Sequence, residues 1–235
     1  MKALYLDNSY LKEFEAEVKE VNKEKFIVLD KTAFYPNGGG QPYDTGRLIK
    51  DDKEFKVVFV GKFDEKISHE VELKGLKVGD KVKGIIDWER RYRLMRSHTA
   101  SHVLSAVLYK DAGVLITGNQ LDVDKCRDDF SLENYNPEKI REYIEKANDI
   151  IKKNLDVKTY YLSKEEAMKN KELFKLAAGF KHDFDKIRIV EIGDYDRQAD
   201  GGTHVKNTKE CGTIKFLKSE NKGKNNRRVY FELSV

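Results

Sequence analysis

The sequence is poor in the residues that cross-link a protein or anchor it in a membrane. Its 235 residues include 2 cysteines, 3 prolines and 1 tryptophan, and its apolar stretches are short. Because a membrane-spanning helix needs about 20 consecutive, mainly apolar residues, no such helix is predicted. Cys126 and Cys211 lie far apart and form no CxxC pair, which excludes a disulfide scaffold and suits a reducing compartment. Charges interrupt the N-terminal stretch too early for a secretory signal, so we expect a globular, cytoplasmic protein.

A strong excess of charge of either sign is also missing. Lys and Arg number 45 against 41 Asp and Glu, which gives a formal net charge of +4. This balance favours a polyanionic partner only weakly and says nothing about the fold. The length allows one large domain or two small ones, with a core that needs no disulfide to hold it together.

Residues 1 to about 90 show the pattern of short strands separated by turns. Three pairs of segments indicate hairpins or adjacent strands: FEAEV with FIVLD, GRLI with EFKVVFV, and KISHEVEL with KVKGIID. Several strands of this length and spacing are typical of a small barrel or sandwich. We therefore predict a β-barrel domain over residues 1–90.

From Trp88 the hydrophobic period becomes helical and continues to about Lys110. A second helix is predicted after Pro137, and a shorter one over Lys164 to Ala177. Six further strands are predicted from the segments LITGNQL, CRDDFSL, DVKTYYL, KIRIVEI, GTIKFLK and RRVYFELS. The predicted fold class is α+β: the small N-terminal β-barrel is followed, over residues 91–235, by an α/β two-layer domain with helices on an antiparallel or mixed sheet.

Two of the five histidines lie four residues apart, in the stretch HTASH. On a helix this spacing puts His98 and His102 on one face, with Cβ atoms roughly 5 to 6 Å apart, close enough to share one zinc ion. Such a pair by itself is more often a polar stripe than a metal site, because short motifs produce many false matches. His69 and His182 are predicted to be ordinary surface or core residues.

A second motif, ADGGTH, places Asp200 four residues before His204. Gly201 and Gly202 between them allow a tight turn and a close approach to a ligand. For the glycines alone, a plain turn is the simpler explanation. Three histidines and one carboxylate together predict a zinc site, and three ligands with an open position for water would make that site catalytic.

These motifs carry a resemblance to a known family. HTASH followed by ADGGTH resembles the HxxxH and C/DxxxH signature shared by the editing domains of alanyl- and threonyl-tRNA synthetases. The stretch FYPNGGGQPYDTG, from Phe34 to Gly46, resembles the Gly-rich stretch in the N-terminal barrel of the free-standing alanyl-tRNA editing proteins, the AlaX family. The stretch DWERRYRLMRSHTASHVL joins the two halves as in that family. Since no segment suits an ATP-binding aminoacylation domain, the chain resembles the medium-length, stand-alone editors.

The resemblance implies that the second domain is an editing domain that uses Zn²⁺ and no ATP. It would hydrolyse the ester that links a wrong amino acid to tRNA(Ala), with serine as the main target and glycine as another. Such editing is needed because a pocket tuned for alanine discriminates only modestly against glycine and serine. Whether zinc activates the water or positions the substrate is left open by the sequence.

The resemblance also implies that His98, His102 and His204 bind the metal. Much of the family has a cysteine four residues before the last histidine, where this chain has Asp200. A carboxylate can bind zinc at about 2.0 to 2.2 Å, or it can orient a histidine or a water beside the metal. Cys211 is a possible competing ligand, although a buried structural thiol is the simpler interpretation.

An editor that prefers serine to alanine must hydrogen-bond the serine hydroxyl, so that its own polar group is left unsatisfied by alanine. The polar candidates are Ser101 within HTASH, and Thr117 and Gln120 within ITGNQ. Thr117 and Gln120 are the favoured pair, although each could equally be a turn or cap residue.

Two basic clusters are candidates for contact with tRNA phosphates, although charge runs at turns are usually solvated surface. The first precedes HTASH and includes Arg91 and Arg96, and the second lies near a predicted hairpin tip and includes Arg227. Neutralising residues that contact phosphates should reduce the salt dependence of tRNA binding.

The Gly-rich stretch includes Gly39, Gly40 and Gln41. It lacks the Lys-Ser/Thr pair of a nucleotide-binding P-loop, so a tight barrel loop is the expected structure. The family resemblance makes this loop a candidate for tRNA selection.

Two other functions compete with alanyl-tRNA editing. Editing of a threonyl-tRNA-type substrate uses the same histidine motifs, but the GGGQP segment argues against it. A non-catalytic, zinc-dependent tRNA-binding module would bind tRNA without hydrolysing it. The oligomeric state is left open.

Overall fold

The computed structural model of the chain describes residues 1–133, 136–177 and 185–234. His182 lies outside the described residues. The helices and strands are, in chain order, β1 Lys2–Ala3, α1 Leu4–Asp7, β2 Glu13–Asn22, β3 Phe26–Leu29, β4 Lys31–Thr32, β5 Gly46–Lys50, β6 Lys53–Phe63, β7 Lys66–Val71, β8 Lys81–Ile86, α2 Trp88–Ala112, β9 Ile116–Gln120, β10 Cys126–Phe130, α3 Pro137–Ile151, β11 Val157–Ser163, α4 Lys164–Met168, β12 Lys186–Ile192, β13 Asp196–Ala199, β14 Thr213–Asn221 and β15 Arg227–Ser234. Among the described residues, no helix has the length and apolar character needed to cross a membrane.

The chain divides into two compact units, Met1–Met95 and Arg96–Val235. In the first unit, six strands close into an antiparallel barrel in the order β2-β3-β7-β6-β5-β8. Closure leaves no free edge among these six strands. Side chains that alternate along the strands fill the interior, and the completely buried ones include Val18, Ile27, Leu48, Val57 and Val60. The predicted barrel is confirmed, and so are the pairs β2-β3 and β5-β6, but the pairing of KISHEVEL with KVKGIID is wrong because β7 pairs with β3 and β6.

Helix α2 begins at Trp88 and ends at Ala112, so it starts in the first unit and continues in the second. The carboxylate of Asp87 accepts the backbone N–H of Arg90 at 3.2 Å, which satisfies one of the free donors at the start of the helix. The apolar residues that predicted this helix are buried along it: Leu94, Met95, Val103, Leu104, Val107 and Leu108.

The second unit is α+β and its two sheets are antiparallel. One has four strands in the order β14-β15-β10-β9, and the other has three in the order β11-β12-β13. Helix α3 packs on β14, where the Asn148 side chain donates to the carbonyl of Ile214 at 2.9 Å and accepts its N–H at 2.8 Å. Asn136 and Pro137 start α3 as the sequence predicts, because the Asn136 side chain accepts two N–H groups of the first turn.

The helix predicted over Lys164 to Ala177 is wrong in its extent. The α-helix ends at Met168, and a separate 3₁₀ turn covers Lys171–Leu173. The Asn170 side chain accepts the N–H of Glu172 at 3.2 Å. Asparagine competes in this way for backbone donors that a continuing helix would use.

Candidate metal centre

Two histidines of the centre come from helix α2. His98 and His102 are both buried, and their ring centroids are 5.1 Å apart. Their Nε2 atoms lie 3.4 and 3.8 Å from the same oxygen of Asp200, Oδ1. The spacing of four residues has therefore put both rings on one face of the helix, as the sequence predicts.

The other two residues come from the segment that follows β13. His204 Nε2 lies 3.0 Å from Asp200 Oδ2, and the His204 ring centroid is 4.4 Å from that of His98. One donor atom from each of His98, His102, Asp200 and His204 lies within 4.8 Å of all the others. Three imidazoles and a carboxylate at this separation can hold one metal ion.

Gly202 is required by the packing of this segment. A Cβ atom at residue 202 would lie 2.2 Å from Cε1 of His98, whereas a Cβ at residue 201 would meet nothing within 4 Å. The Gly202 N–H also donates to Asp200 Oδ2 at 2.5 Å. The second glycine of ADGGTH thus allows close approach to a histidine ring, while the first meets no neighbour that would exclude a side chain.

Arg188, on strand β12, hydrogen-bonds the backbone of the same segment. Its Nη1 donates to the carbonyl oxygens of Asp200 at 3.0 Å and Gly202 at 3.1 Å, and the side chain is buried. Its role was not predicted from the sequence. The available signal was a charged side chain between two isoleucines in the strand KIRIVEI.

Thr99 was missed as well, although it lies inside HTASH. Its Oγ1 lies 3.1 Å from His204 Nδ1 and accepts the N–H of Val205 at 3.2 Å. When Nδ1 carries the proton and donates to Thr99, Nε2 has its lone pair free for a metal. Thr99 can therefore orient the His204 ring and select its tautomer.

The protonation states of two of the four residues suit metal binding. Burial would raise the pKa of Asp200, but the charge of His98 and the hydrogen bonds of the histidines outweigh it and hold that pKa well below its usual value. Burial, reinforced by the charge of His98, puts the pKa of His204 well below its ordinary value. A carboxylate and a neutral imidazole are the forms that bind a metal.

Ser101 lies between the two histidines in sequence but is engaged elsewhere. Its hydroxyl donates to Oδ2 of the buried Asp128 at 2.8 Å. Burial raises the pKa of Asp128 to about 7, and the bond from Ser101 opposes this rise. Asp128 Oδ1 has no hydrogen-bond partner in the part of the chain that the structure describes.

Thr117 and Gln120 are both exposed on strand β9, and the Thr117 hydroxyl donates to Asn226 at 3.0 Å. Gln120 pairs with Arg127, one residue away from Asp128 on β10. Since successive side chains of a strand alternate between faces, Gln120 lies on the face opposite to Asp128 and helix α2. A place for Gln120 beside His98 and His102 does not fit this geometry, while the role predicted for Thr117 stays a prediction.

The three arginines predicted to bind tRNA are buried within their own units. Arg91 is completely buried and forms an ion pair with Asp44. Arg96 donates to the carbonyl of Cys211 at 2.9 Å. Arg227 donates to the carbonyls of Gly223 at 2.5 Å and Asn226 at 3.0 Å. In these positions the guanidinium donors are used within the protein, and the contact of the three arginines with tRNA stays a prediction.

The Gly-rich stretch forms a tight turn. Gly39 and Gly40 have φ angles of 58° and 80°, which side chains other than glycine rarely adopt. Backbone bonds between Gly38 and Gln41 close the turn, with N···O distances of 3.0 and 3.2 Å. Gly39 is exposed and Gln41 is buried, so the expected tight loop is present and its role in tRNA selection stays a prediction.

Two family models match the chain. Residues 3–90 match the family described as class II (A) tRNA synthetases, and residues 187–230 match the second additional domain of threonyl- and alanyl-tRNA synthetases. The second match covers Asp200 and His204.

Several proteins are similar over nearly the whole chain. An alanyl-tRNA editing protein AlaX-M of Methanosarcina mazei is 54% identical over 99% of this chain and 96% of its own length. An AlaX-M protein of Saccharolobus solfataricus is 48% identical over 97% of this chain and 97% of its own length. An alanine–tRNA ligase of Pyrococcus furiosus is 43% identical over 93% of this chain but only 24% of its own length. With its barrel, its buried histidine–aspartate centre and this full-length similarity, the chain belongs to the AlaX-M family of alanyl-tRNA editing proteins.

Proposed function

We propose that the chain is an aminoacyl-tRNA deacylase that removes serine, and also glycine, from mischarged tRNA(Ala). The reaction takes place at the centre of His98, His102, Asp200 and His204. Water adds its oxygen to the ester carbonyl carbon, and the bond from that carbon to the terminal ribose oxygen breaks. The ribose hydroxyl takes up a proton and the amino acid leaves with a free carboxyl group. The observation that carries this proposal is the convergence of four donor atoms within 4.8 Å, three of them from buried histidines, in a member of an editing family.

Zinc is the proposed cofactor because histidine nitrogens and a carboxylate are among its typical ligands. When bound, it supplies a Lewis acid to a water molecule or to the amino group of the substrate. The two oxygens of Asp200 have different partners: Oδ2 accepts the N–H of Gly202 at 2.5 Å, while Oδ1 faces His98 and His102. Oδ1 is therefore the proposed metal ligand, and the bond to Gly202 keeps the carboxylate turned toward the histidines.

The two parts of the chain have different proposed tasks. Residues 1–90 form a barrel domain that helps to select tRNA(Ala) through the turn at Gly39, Gly40 and Gln41, and residues 91–235 form the deacylase domain. Ser101 and Thr117 are the candidates for contact with the serine hydroxyl, which would exchange with their present bonds to Asp128 and Asn226. The cytoplasmic location stays a prediction.

The test is a deacylation assay with Ser-tRNA(Ala), Gly-tRNA(Ala), Ala-tRNA(Ala) and Ser-tRNA(Thr). We expect hydrolysis of the first two, little hydrolysis of the others, loss of activity after chelation, and recovery on adding zinc. Full activity in protein shown by mass spectrometry to be metal-free would refute the role of zinc. Hydrolysis of Ser-tRNA(Thr) alone would favour the threonyl-type reaction, and tRNA binding without any hydrolysis would favour a non-catalytic module.

A further inference from the structure

One face of the four-stranded sheet of the second unit carries a row of long polar side chains. Asp128 faces helix α2 through Ser101, so its neighbour Arg127 lies on the opposite face, because side chains alternate along a strand. We name this opposite face the outer face. The strand register places side by side on it, from β14 to β9, Lys218, Tyr230, Arg127 and Gln120.

The centre of the outer face is an aromatic ring between two ammonium groups. Lys218 Nζ lies 4.7 Å and Lys125 Nζ 5.3 Å from the centroid of Tyr230. Both lysines are exposed, both lie within the range of cation–π attraction to the ring, and Lys218 also forms an ion pair with Glu220. Arg127 on the neighbouring strand is opposite Tyr230 in the register.

The outer face and its rim carry more positive than negative charge. Three carboxylates, of Asp129, Glu220 and Glu232, form ion pairs there. Six cations surround them, namely Lys125, Arg127, Lys215, Lys218, Lys222 and Arg228. The side chains of Lys215 and Lys218 are each 56% exposed. This excess of positive charge lies on one face of a sheet, in a chain whose formal net charge is only +4.

We infer that the outer face binds the sugar–phosphate backbone of the tRNA substrate. Exposed lysines and half-buried arginines near an aromatic ring on a sheet face match the phosphates and ribose rings of RNA. Strand alternation also explains which of two neighbouring arginines lies on this face: Arg227 is turned inward and buried, whereas Arg228 lies on the outer face, where it is paired with Asp129. This inference rests on the proposed function for the identity of the RNA, but it concerns binding and not hydrolysis.

The experiment measures the affinity of the full chain for uncharged tRNA(Ala) as a function of salt concentration. The test variant combines Lys125→Ala, Arg127→Ala and Lys218→Ala. The matched control combines Lys139→Ala, Lys152→Ala and Lys169→Ala, which removes the same charge from exposed ion pairs on α3 and beside α4. Thermal unfolding verifies that both variants are folded. If the triple test variant is unfolded, the double variant with Lys125→Ala and Lys218→Ala replaces it.

Each lost phosphate contact reduces the slope of log affinity against log salt by roughly 0.7 to 0.9, so the test variant should lose a slope of about 2. Both affinities rise as the salt concentration is lowered, but the affinity of the test variant relative to the wild type should fall about 100-fold for each tenfold decrease in salt below the concentration at which the two lines meet. The control should keep the wild-type slope, and both variants should hydrolyse a seryl ester of a short acceptor-end oligonucleotide at the wild-type rate.

An unchanged slope in the test variant, or an equal loss in the control, overturns the inference and leaves the proposed function standing. A variant that keeps tRNA binding but no longer binds vesicles of anionic lipid overturns it in favour of a membrane surface. If the test variant loses the expected slope and the control does not, but the wild type hydrolyses no mischarged tRNA, the proposed function fails while the outer face is still supported.

Discussion

The buried histidine of the barrel and the buried histidines of the second unit are equally hidden from solvent, but their partners differ in kind. His69 is 0% exposed, with Nδ1 at 2.9 Å from the carbonyl of Ile27 and Nε2 at 2.8 Å from the hydroxyl of Thr32. Nδ1 must therefore donate, and Nε2 accepts from Thr32. Both ring nitrogens have neutral partners, so His69 fills a structural position.

In the second unit, the Nε2 atoms of His98, His102 and His204 all face one carboxylate. Three imidazoles and a carboxylate that converge in this way can hold one metal ion. Burial by itself thus says little about the task of a histidine. The convergence of several Nε2 atoms is what separates a metal centre from a structural residue.

The largest predicted effect removes one member of that convergence. His102→Ala should abolish zinc binding and lower the rate of Ser-tRNA(Ala) hydrolysis by at least about 1,000-fold, because a metal Lewis acid contributes several kcal/mol to such a reaction. His69→Ala is the control, and the folded fraction of that variant should keep its zinc and its activity. Metal content by mass spectrometry and single-turnover deacylation measure both. Equal losses in the two variants would contradict the distinction between the two kinds of histidine.

The next effect concerns acid stability. Burial lowers the pKa of His69 to about 4, and the bond to the Ile27 carbonyl opposes this only in part. Between about pH 6.5 and pH 4, residue 69 is protonated in the unfolded chain but stays neutral in the folded chain, so acid favours unfolding. The contribution is present above pH 6.5 and is lost as the pH falls toward 4, to an extent of about 3 kcal/mol.

Urea unfolding of the wild type and of His69→Gln at pH 7.5 and pH 4.5 measures this term. The variant should be less stable at pH 7.5, and its free energy of unfolding should change less between the two pH values. A pH dependence identical to that of the wild type would show that His69 takes up its proton equally in both states.

The smallest effect is expected from the two glycines of ADGGTH. Gly202→Ala puts a methyl group against the His98 ring, where a Cβ would lie 2.2 Å from Cε1. Displacing a histidine in this way should weaken zinc binding by about 10- to 100-fold, the range for loss of a residue that orients a ligand. Gly201→Ala is the matched control, because its Cβ would meet nothing within 4 Å. Competition for zinc with a chromogenic chelator measures both, and equal affinities would contradict the packing argument.

Much of the fold and part of the centre could be predicted from local patterns. The hairpins of the barrel and the helices that begin at Trp88 and Pro137 follow from periods and caps that depend only on neighbouring residues. The helix predicted over Lys164 to Ala177 was wrong because the Asn170 side chain binds the backbone in the structure. Periodicity alone does not register such a competing bond.

The residues that support the centre were missed for a different reason. Arg188 and Thr99 contact groups that are distant in sequence. Arg188 donates to two backbone carbonyls of the segment that follows β13, and Thr99 lies within hydrogen-bond distance of His204. Asp128 likewise meets Ser101 only through the packing of a strand on a helix. No spacing rule connects such residues, because the contact exists only after strands and helices have packed.

Local patterns were enough to predict that His98 and His102 share a helix face, that Asp200 and His204 lie in one short segment, and that a barrel precedes them. These features depend on local geometry, namely the helical period and the reach of a few peptide units. The meeting of the two pairs depends on the packing of the folded chain, because they are about a hundred residues apart. The tertiary structure also decided which cations face solvent: Arg227 is buried while Arg228 lies on the outer face, since strand alternation and packing choose between neighbours of identical charge.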